Sequence, residues 1–404
     1  MRIYRLENVI QNYAWGSLSA IAQLTGQPAP SREPQAELWM GTHPKGPSLA
    51  VADDERVQLQ DLIAQRPVEM LGVHADKRFD HTLPYLFKIL AAARPLSIQA
   101  HPNKDQAVEG FRRENRAGIL LDAPDRNYRD ANHKPEIISA LTPFWGLNGF
   151  RPPEEAAELI GPVCPGLLEN ACQKLRLSGE MGLRYFFEAM MGLPAEKRPA
   201  ACDEIVEKAG GVRQESPVYD WIVKLARAYP KDLGILSPAL LNLICLEPGQ
   251  AMFLPAGQLH AYLDGVGIEL MANSDNVLRG GLTPKHVDLK ELLRVVRFSP
   301  AAIDILEPVA VRPGETGYRC PAEEFVLTII RSARDDPYFS SKSRSIELLL
   351  CISGQGTLHG AEQTEGVPIG RGDSLLVPAG LASYTVRGDL TVYKAAVPLP
   401  ADRS

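Results

Sequence analysis

Pro248-Gly-Gln-Ala-Met-Phe-Leu-Pro-Ala-Gly257 and Arg371-Gly-Asp-Ser-Leu-Leu-Val-Pro-Ala-Gly380 spell one pattern twice. Each is a Gly turn, a short apolar strand and a Pro-Ala-Gly turn. The first copy continues Gln258-Leu-His-Ala-Tyr262; the second continues Leu381-Ala-Ser-Tyr384 and has no His at the matching place. Upstream of the second copy, Ile352-Ser-Gly-Gln-Gly-Thr-Leu358 reads as a hairpin-like segment. Strand, G-x-G, Gly turn, strand and Pro-x-Gly turn follow one another in double-stranded β-helix or jelly-roll barrels. The expectation is therefore two related barrels, one keeping a ligand histidine, His260, and one having lost it.

Working outward, the first 150 or so residues are rich in Pro, Gly and short apolar runs, with helix expected around Leu59 to Leu71 and Lys104 to Glu114. Leu96-Ser-Ile-Gln-Ala-His101 alternates as a strand does, which sets Ile98 and Ala100 opposite Gln99 and His101. From Pro152 the pattern changes. Pro153-Glu-Glu-Ala-Ala opens like a helix, Leu183 to Met191 is rich in helix formers, and Tyr219, Ile222, Val223 and Ala226 share one helical face. Gly210-Gly211 and Pro230 are the expected breakers. The fold class is mainly β with an α insertion. Residues 1–151 and 237–310 should form a discontinuous metal-binding barrel, 152–236 a helical insertion, and 311–404 a second, degenerate barrel.

The 404 residues exceed one compact core, and a net charge of −6 disfavours nucleic acid as a partner. Six scattered cysteines without a CxxC pair fit reduced thiols in a cytoplasm better than a disulfide framework. The amino terminus lacks a signal-peptide core, and no stretch is apolar enough to suggest a membrane span.

The chemistry gathers around Gln99 and His101, Asn132-His-Lys-Pro-Glu136, and His260. Gln99 and His101 point the same way from one strand, although such a pair is more often a hydrogen-bonded polar couple. Pro135 stiffens the segment that presents His133, Lys134 and Glu136. Four O/N ligands without a thiolate suit zinc, and tolerate manganese, cobalt or ferrous iron. A centre with only one carboxylate stays positive and can polarise a carbonyl.

These residues resemble a known family. Tyr128-Arg-Asp-Ala-Asn-His-Lys-Pro-Glu136 is similar to the first signature of type I mannose-6-phosphate isomerases, members of the cupin superfamily. The stretch His260-Ala-Tyr-Leu-Asp-Gly-Val-Gly-Ile-Glu-Leu-Met-Ala-Asn-Ser-Asp-Asn-Val-Leu-Arg-Gly-Gly-Leu-Thr-Pro-Lys285 is similar to the second. Gln11-Asn-Tyr-Ala-Trp-Gly-Ser17, Ala36-Glu-Leu-Trp-Met-Gly-Thr-His43 and Leu83-Pro-Tyr-Leu-Phe-Lys-Ile-Leu90 also look like that family. One departure is Gly280, where the family usually has Ala. The resemblance implies one zinc ion per chain on Gln99, His101, Glu136 and His260. It also implies interconversion of mannose 6-phosphate and fructose 6-phosphate, three domains and a cytoplasmic setting, and it places Arg279 in the active site.

Aldose–ketose isomerisation moves a proton between C2 and C1 through a cis-enediol. It needs a Lewis acid at the oxygens and a base within reach. Candidate acid–base groups are Asp275, Lys134, His133 and Glu269, with Asp275 and Lys134 expected to act together and Glu269 to hold geometry. The dianionic substrate calls for cations, and Arg279, Lys285 and Lys88, with Ser97, are the candidates. Trp15 and Tyr262 could floor the sugar pocket. The only expected partner is a small hexose phosphate, with the chain a monomer. Two other classes compete. A non-catalytic, metal-dependent sugar-binding barrel would not require the cluster Lys134, Asp275, Arg279 and Lys285. An iron-dependent dioxygenase would favour a His/His/carboxylate set over one that includes Gln.

Overall fold

A computed structural model describes residues 1–52, 55–177, 179–361 and 365–400. The chain is mainly antiparallel β, with its longest helical stretch running from Pro153–Ile160 to Ser237–Leu240 and further helices such as Lys104–Arg116 outside it. Two large sheets, of eleven and ten strands, account for the described strands.

The internal repeat is visible in the backbone. Ala251–Leu254 and Ser374–Val377 are the two short strands, followed by the long strands His260–Ala272 and Tyr384–Ala396. Gly249 and Gly372 precede the short strands at φ 93° and 87°, and Gly265 and Gly388 interrupt the long ones at φ 123° and 118°. Each pair is 123 residues apart. Positive φ at matched places explains why glycine recurs there, since a Cβ would be strained. The G-x-G segment differs from expectation. Ile352 to Leu358 is no hairpin but the middle of one long strand, Glu347–Gly360, with a register shift between Cys351 and Ser353. A Cβ at Gly354 or Gly356 would collide with the backbone at Asp389 or Arg387, so the glycines permit close strand pairing.

The sheets do not follow the expected division at residue 311. Tyr4–Glu7 pairs with Ser374–Val377, and Leu49–Ala52 and Glu55–Gln58 extend that same sheet. One apolar core lies between the two sheets, joining Phe87, Ile137 and Ile268 to Leu327, Leu348 and Tyr393.

The helices hold the back of the ten-stranded sheet. Ile98, Ala100, Leu259 and Ala261 pack into one core with Ile160, Phe186, Ile222 and Leu225. Residues two apart on a strand share a face, so this burial turns Gln99, His101, His260 and Tyr262 the other way. The helix Pro217–Ala228 starts on a Ser216 cap and stops before Pro230, as expected. Gly210-Gly211 do not break their helix; they lie inside Arg198–Val212, where both face open space. Among the described residues, no helix is long and apolar enough to cross a membrane.

Candidate active site

Register places the key side chains. Gln99 lies between two partners, paired with His260 on one side and Arg279 on the other. Directly opposed residues share a face, so these three stand side by side. Glu136 pairs with Met271 in the adjoining strand. Together these strands bring His101, Glu136 and His260 into one buried group, with one ligand atom from each lying within 4.8 Å of the others.

The histidine tautomers follow from their hydrogen bonds. His101 Nδ1 lies 2.7 Å from the Asn276 carbonyl, and His260 Nδ1 lies 3.0 Å from that of Gln258. A carbonyl only accepts, so each Nδ1 carries the proton and each Nε2 presents a lone pair. Those lone pairs face Glu136, at 3.4 Å for His101 and 3.5 Å for His260. His101 Nε2 is buried and has no hydrogen-bond partner. Three acceptors turned on one another repel, and a cation among them removes the conflict. The donor set, two imidazoles and a carboxylate with the Gln99 amide alongside, fits zinc.

Burial, with Lys134 nearby, pushes the His101 pKa down to about 4 against the pull of Glu136. In the metal-free protein the sign of the pH dependence follows. From about pH 6.5 down to about 4, the unfolded chain binds a proton at His101 that the folded chain refuses. Stability therefore falls with pH through that window, by up to about 1.4 kcal/mol per pH unit. Urea unfolding of metal-free wild type and His101→Gln should show the wild type losing stability relative to the variant on acidification. Parallel curves would contradict this.

The group opens into a cavity of about 950 Å³ lined by Trp15, Lys88, Ser97, Gln99, Lys134, Glu136, His260, Tyr262, Glu269, Asp275, Arg279 and Lys285. His133 is not brought to it. Its ring bonds Glu324 at 2.6 Å and faces a neighbouring cavity, because consecutive residues in an extended segment diverge.

Two residues take a different part from that expected of them. Lys88 sits opposite Glu269 across paired strands, 2.7 Å from its carboxylate and 3.8 Å from Glu37. Burial opposes its charge, but Glu269 and Glu37 raise its pKa, so it is an internal ion pair and not a free phosphate cation. Asp275 is bound by Lys45 at 2.7 Å and His43 at 3.4 Å. Burial alone would raise its pKa, but these two partners hold it well below the usual carboxylate range, which makes it a poor base. Glu269 moves the other way: burial raises its pKa even against Lys88.

Sequence reasoning missed His43, Lys45, Glu37 and Trp39, and also Lys224, Arg227 and Tyr229 from the helical insertion, all of which line the cavity. His43 and Trp39 lie inside a quoted motif, so a signal existed. For the insertion there was none, since its helix reads as ordinarily amphipathic. At Gly280 an added Cβ would meet Leu259 at 3.1 Å and Ile98 at 3.3 Å, so glycine relieves packing beside Arg279.

The phosphomannose isomerase type I catalytic-domain family matches residues 3–153. A mannose-6-phosphate isomerase of Salmonella typhimurium is 42% identical, covering 89% of this chain and 91% of that protein. The Homo sapiens enzyme of that name is 33% identical, with 98% of both chains covered. The fold is similar to a zinc-bound mannose 6-phosphate isomerase, with TM-score 0.90, 37% identity and coverage of 98% and 100%. It is also similar to the S. typhimurium enzyme bound to fructose 6-phosphate and zinc, with TM-score 0.89, 37% identity and the same coverage.

Proposed function

The chain belongs to the type I phosphomannose isomerase family, and from that premise we propose how its residues carry the reaction. It is a zinc-dependent aldose–ketose isomerase that interconverts D-mannose 6-phosphate and D-fructose 6-phosphate by proton transfer between C1 and C2 through a cis-enediol. The observation that carries this reading is the trio of mutually facing acceptors, His101, Glu136 and His260, the last two of which line a cavity that also holds Arg279 and Lys285.

Gln99, His101, Glu136 and His260 would hold the ion. Bound there, zinc supplies Lewis acidity to the carbonyl and hydroxyl oxygens of the open-chain sugar. Arg279 and Lys285 hold the phosphate. Among the described residues neither has a carboxylate partner, and burial lowers the pKa of both, a deficit that an anion would offset. Ser97 and Lys88 meet sugar hydroxyls, while Trp15 and Tyr262 floor the pocket. Lys134 moves the C1/C2 proton: it lines the cavity and, among the described residues, its one ion-pair partner is Glu136, at 2.9 Å. Glu269 fixes Lys88, and Asp275 fixes His43 and Lys45. The non-catalytic sugar-binding alternative leaves the paired carboxylates and the free Arg279 without a task.

Two cupin-type jelly-roll barrels with a helical insertion are the architecture this reading favours, supported by the 123-residue repeat. A cytoplasmic monomer is supported by six free cysteines and by a site drawn from one chain.

The experiment is metal analysis beside turnover. One zinc per chain and isomerisation of mannose 6-phosphate are expected, with activity lost to a chelator and restored by zinc; a zinc-loaded protein without turnover would favour the binding barrel. Asp275→Asn should keep its zinc and lose turnover by roughly tenfold, because the variant loses orientation and not the base. Lys134→Met should lose far more, on the order of 10³-fold, and should stop exchange of the substrate C2 hydrogen with solvent.

A further inference from the structure

The cavity lining is unbalanced. Eight Lys and Arg side chains face it against four carboxylates, in a protein of net charge −6. Glu37, Glu136 and Glu269 are buried and Asp275 is partly exposed, and each is matched: Glu37 and Glu269 by Lys88, Glu136 by Lys134, and Asp275 by Lys45. Of the five other cations, Arg279 stands beside Gln99 and Lys224 pairs with Asp220, while Arg94, Arg227 and Lys285 are exposed and make up a cationic mouth. Two of its members, Arg94 and Arg227, are solvent-exposed, and among the described residues neither makes an ion pair or a side-chain hydrogen bond. They come from different parts of the fold, Arg94 from the end of the barrel strand Tyr85–Ala92 and Arg227 from the helix Pro217–Ala228. The two parts are pinned together beside them, where the Tyr229 hydroxyl donates to the Pro95 carbonyl at 2.6 Å.

We propose that Arg94 and Arg227 form a cationic entry port for the phosphate group, half of it supplied by the helical insertion. The insertion has no residue among the proposed metal ligands, and this gives it a task in substrate capture. An exposed, unpaired arginine at a concave mouth raises the local concentration of a dianion without touching the reacting carbons. Its influence reaches about 10 Å at 0.1 M salt and is nearly abolished at molar salt. The inference rests on the phosphorylated substrate of the proposed function.

The test compares wild type, Arg94→Gln, Arg227→Gln and the double variant with Arg387→Gln, which makes the same charge change at an exposed position on the other sheet. Each is assayed with mannose 6-phosphate from about 20 mM to about 0.5 M salt. The double variant should lose roughly three- to tenfold in kcat/KM at low salt, converge on wild type at high salt, and keep its kcat and zinc. Arg227→Glu should deepen the low-salt loss. A loss that persists at high salt would overturn the port and indicate local distortion. A loss no larger than that of Arg387→Gln would also overturn it. Wild type inactive at every salt concentration would instead count against the isomerase reading.

Discussion

His260→Ala is expected to purify without zinc and without measurable isomerisation, while keeping the far-ultraviolet circular dichroism of the wild type. Removing one imidazole leaves His101 and Glu136 with the Gln99 amide alongside, too few strong donors to hold the ion. Lewis acidity at the reacting oxygens amounts to several kcal/mol, so turnover should fall by 10³-fold or more, on the order of the whole chemical acceleration this centre provides. The fold should survive, because alanine fits the buried strand and removes one of three acceptors that repel one another in the metal-free state. Stoichiometric zinc at wild-type turnover would end the ligand assignment.

Lys88→Ala should be the most destabilising single change in the cavity. The ammonium group lies between Glu269 and Glu37 in a strand whose eight residues are all buried, and 5.4 Å from the Trp39 ring. Deleting it leaves two buried carboxylates facing one another, which typically costs about 3–5 kcal/mol. Lys88→Met restores the volume without the charge, so it should recover little. Adding Glu269→Gln to Lys88→Met removes the nearer of the two orphaned charges and should restore part of the unfolding free energy, but not turnover. Denaturant unfolding of the three variants decides this. A Lys88→Ala protein within 1 kcal/mol (roughly the scale of an ordinary surface pair) would show that the pair is not structurally coupled.

Much of this site was legible in the sequence because its logic is local. Period-two alternation told which face Gln99 and His101 share, and the duplicated Gly-turn pattern told where a barrel would present His260. What failed to be legible was non-local. His133 stands next to Lys134, yet its ring turns to Glu324, 191 residues away, and no spacing rule could announce that partner. Asp275 looked like a base until His43 and Lys45, from a distant loop, held it ionised. Lys88, a candidate cation for phosphate, has its charge met by Glu269, a partner 181 residues away. The G-x-G segment failed for a different reason. The same glycines serve a tight turn or a close strand crossing, and only the Asp389 backbone beside Gly354 distinguishes the two.

The pairing of Tyr4–Glu7 with Ser374–Val377 has a consequence for biosynthesis. Tyr4–Glu7 is synthesised long before one of its two neighbours. It must wait, with a bonding edge open, until that neighbour has been made. Nascent chains stalled before residue 374 should therefore be the species that chaperones hold and proteases clear, so a truncation before that point would unsettle the strand Tyr4–Glu7 as well as the segment it removes.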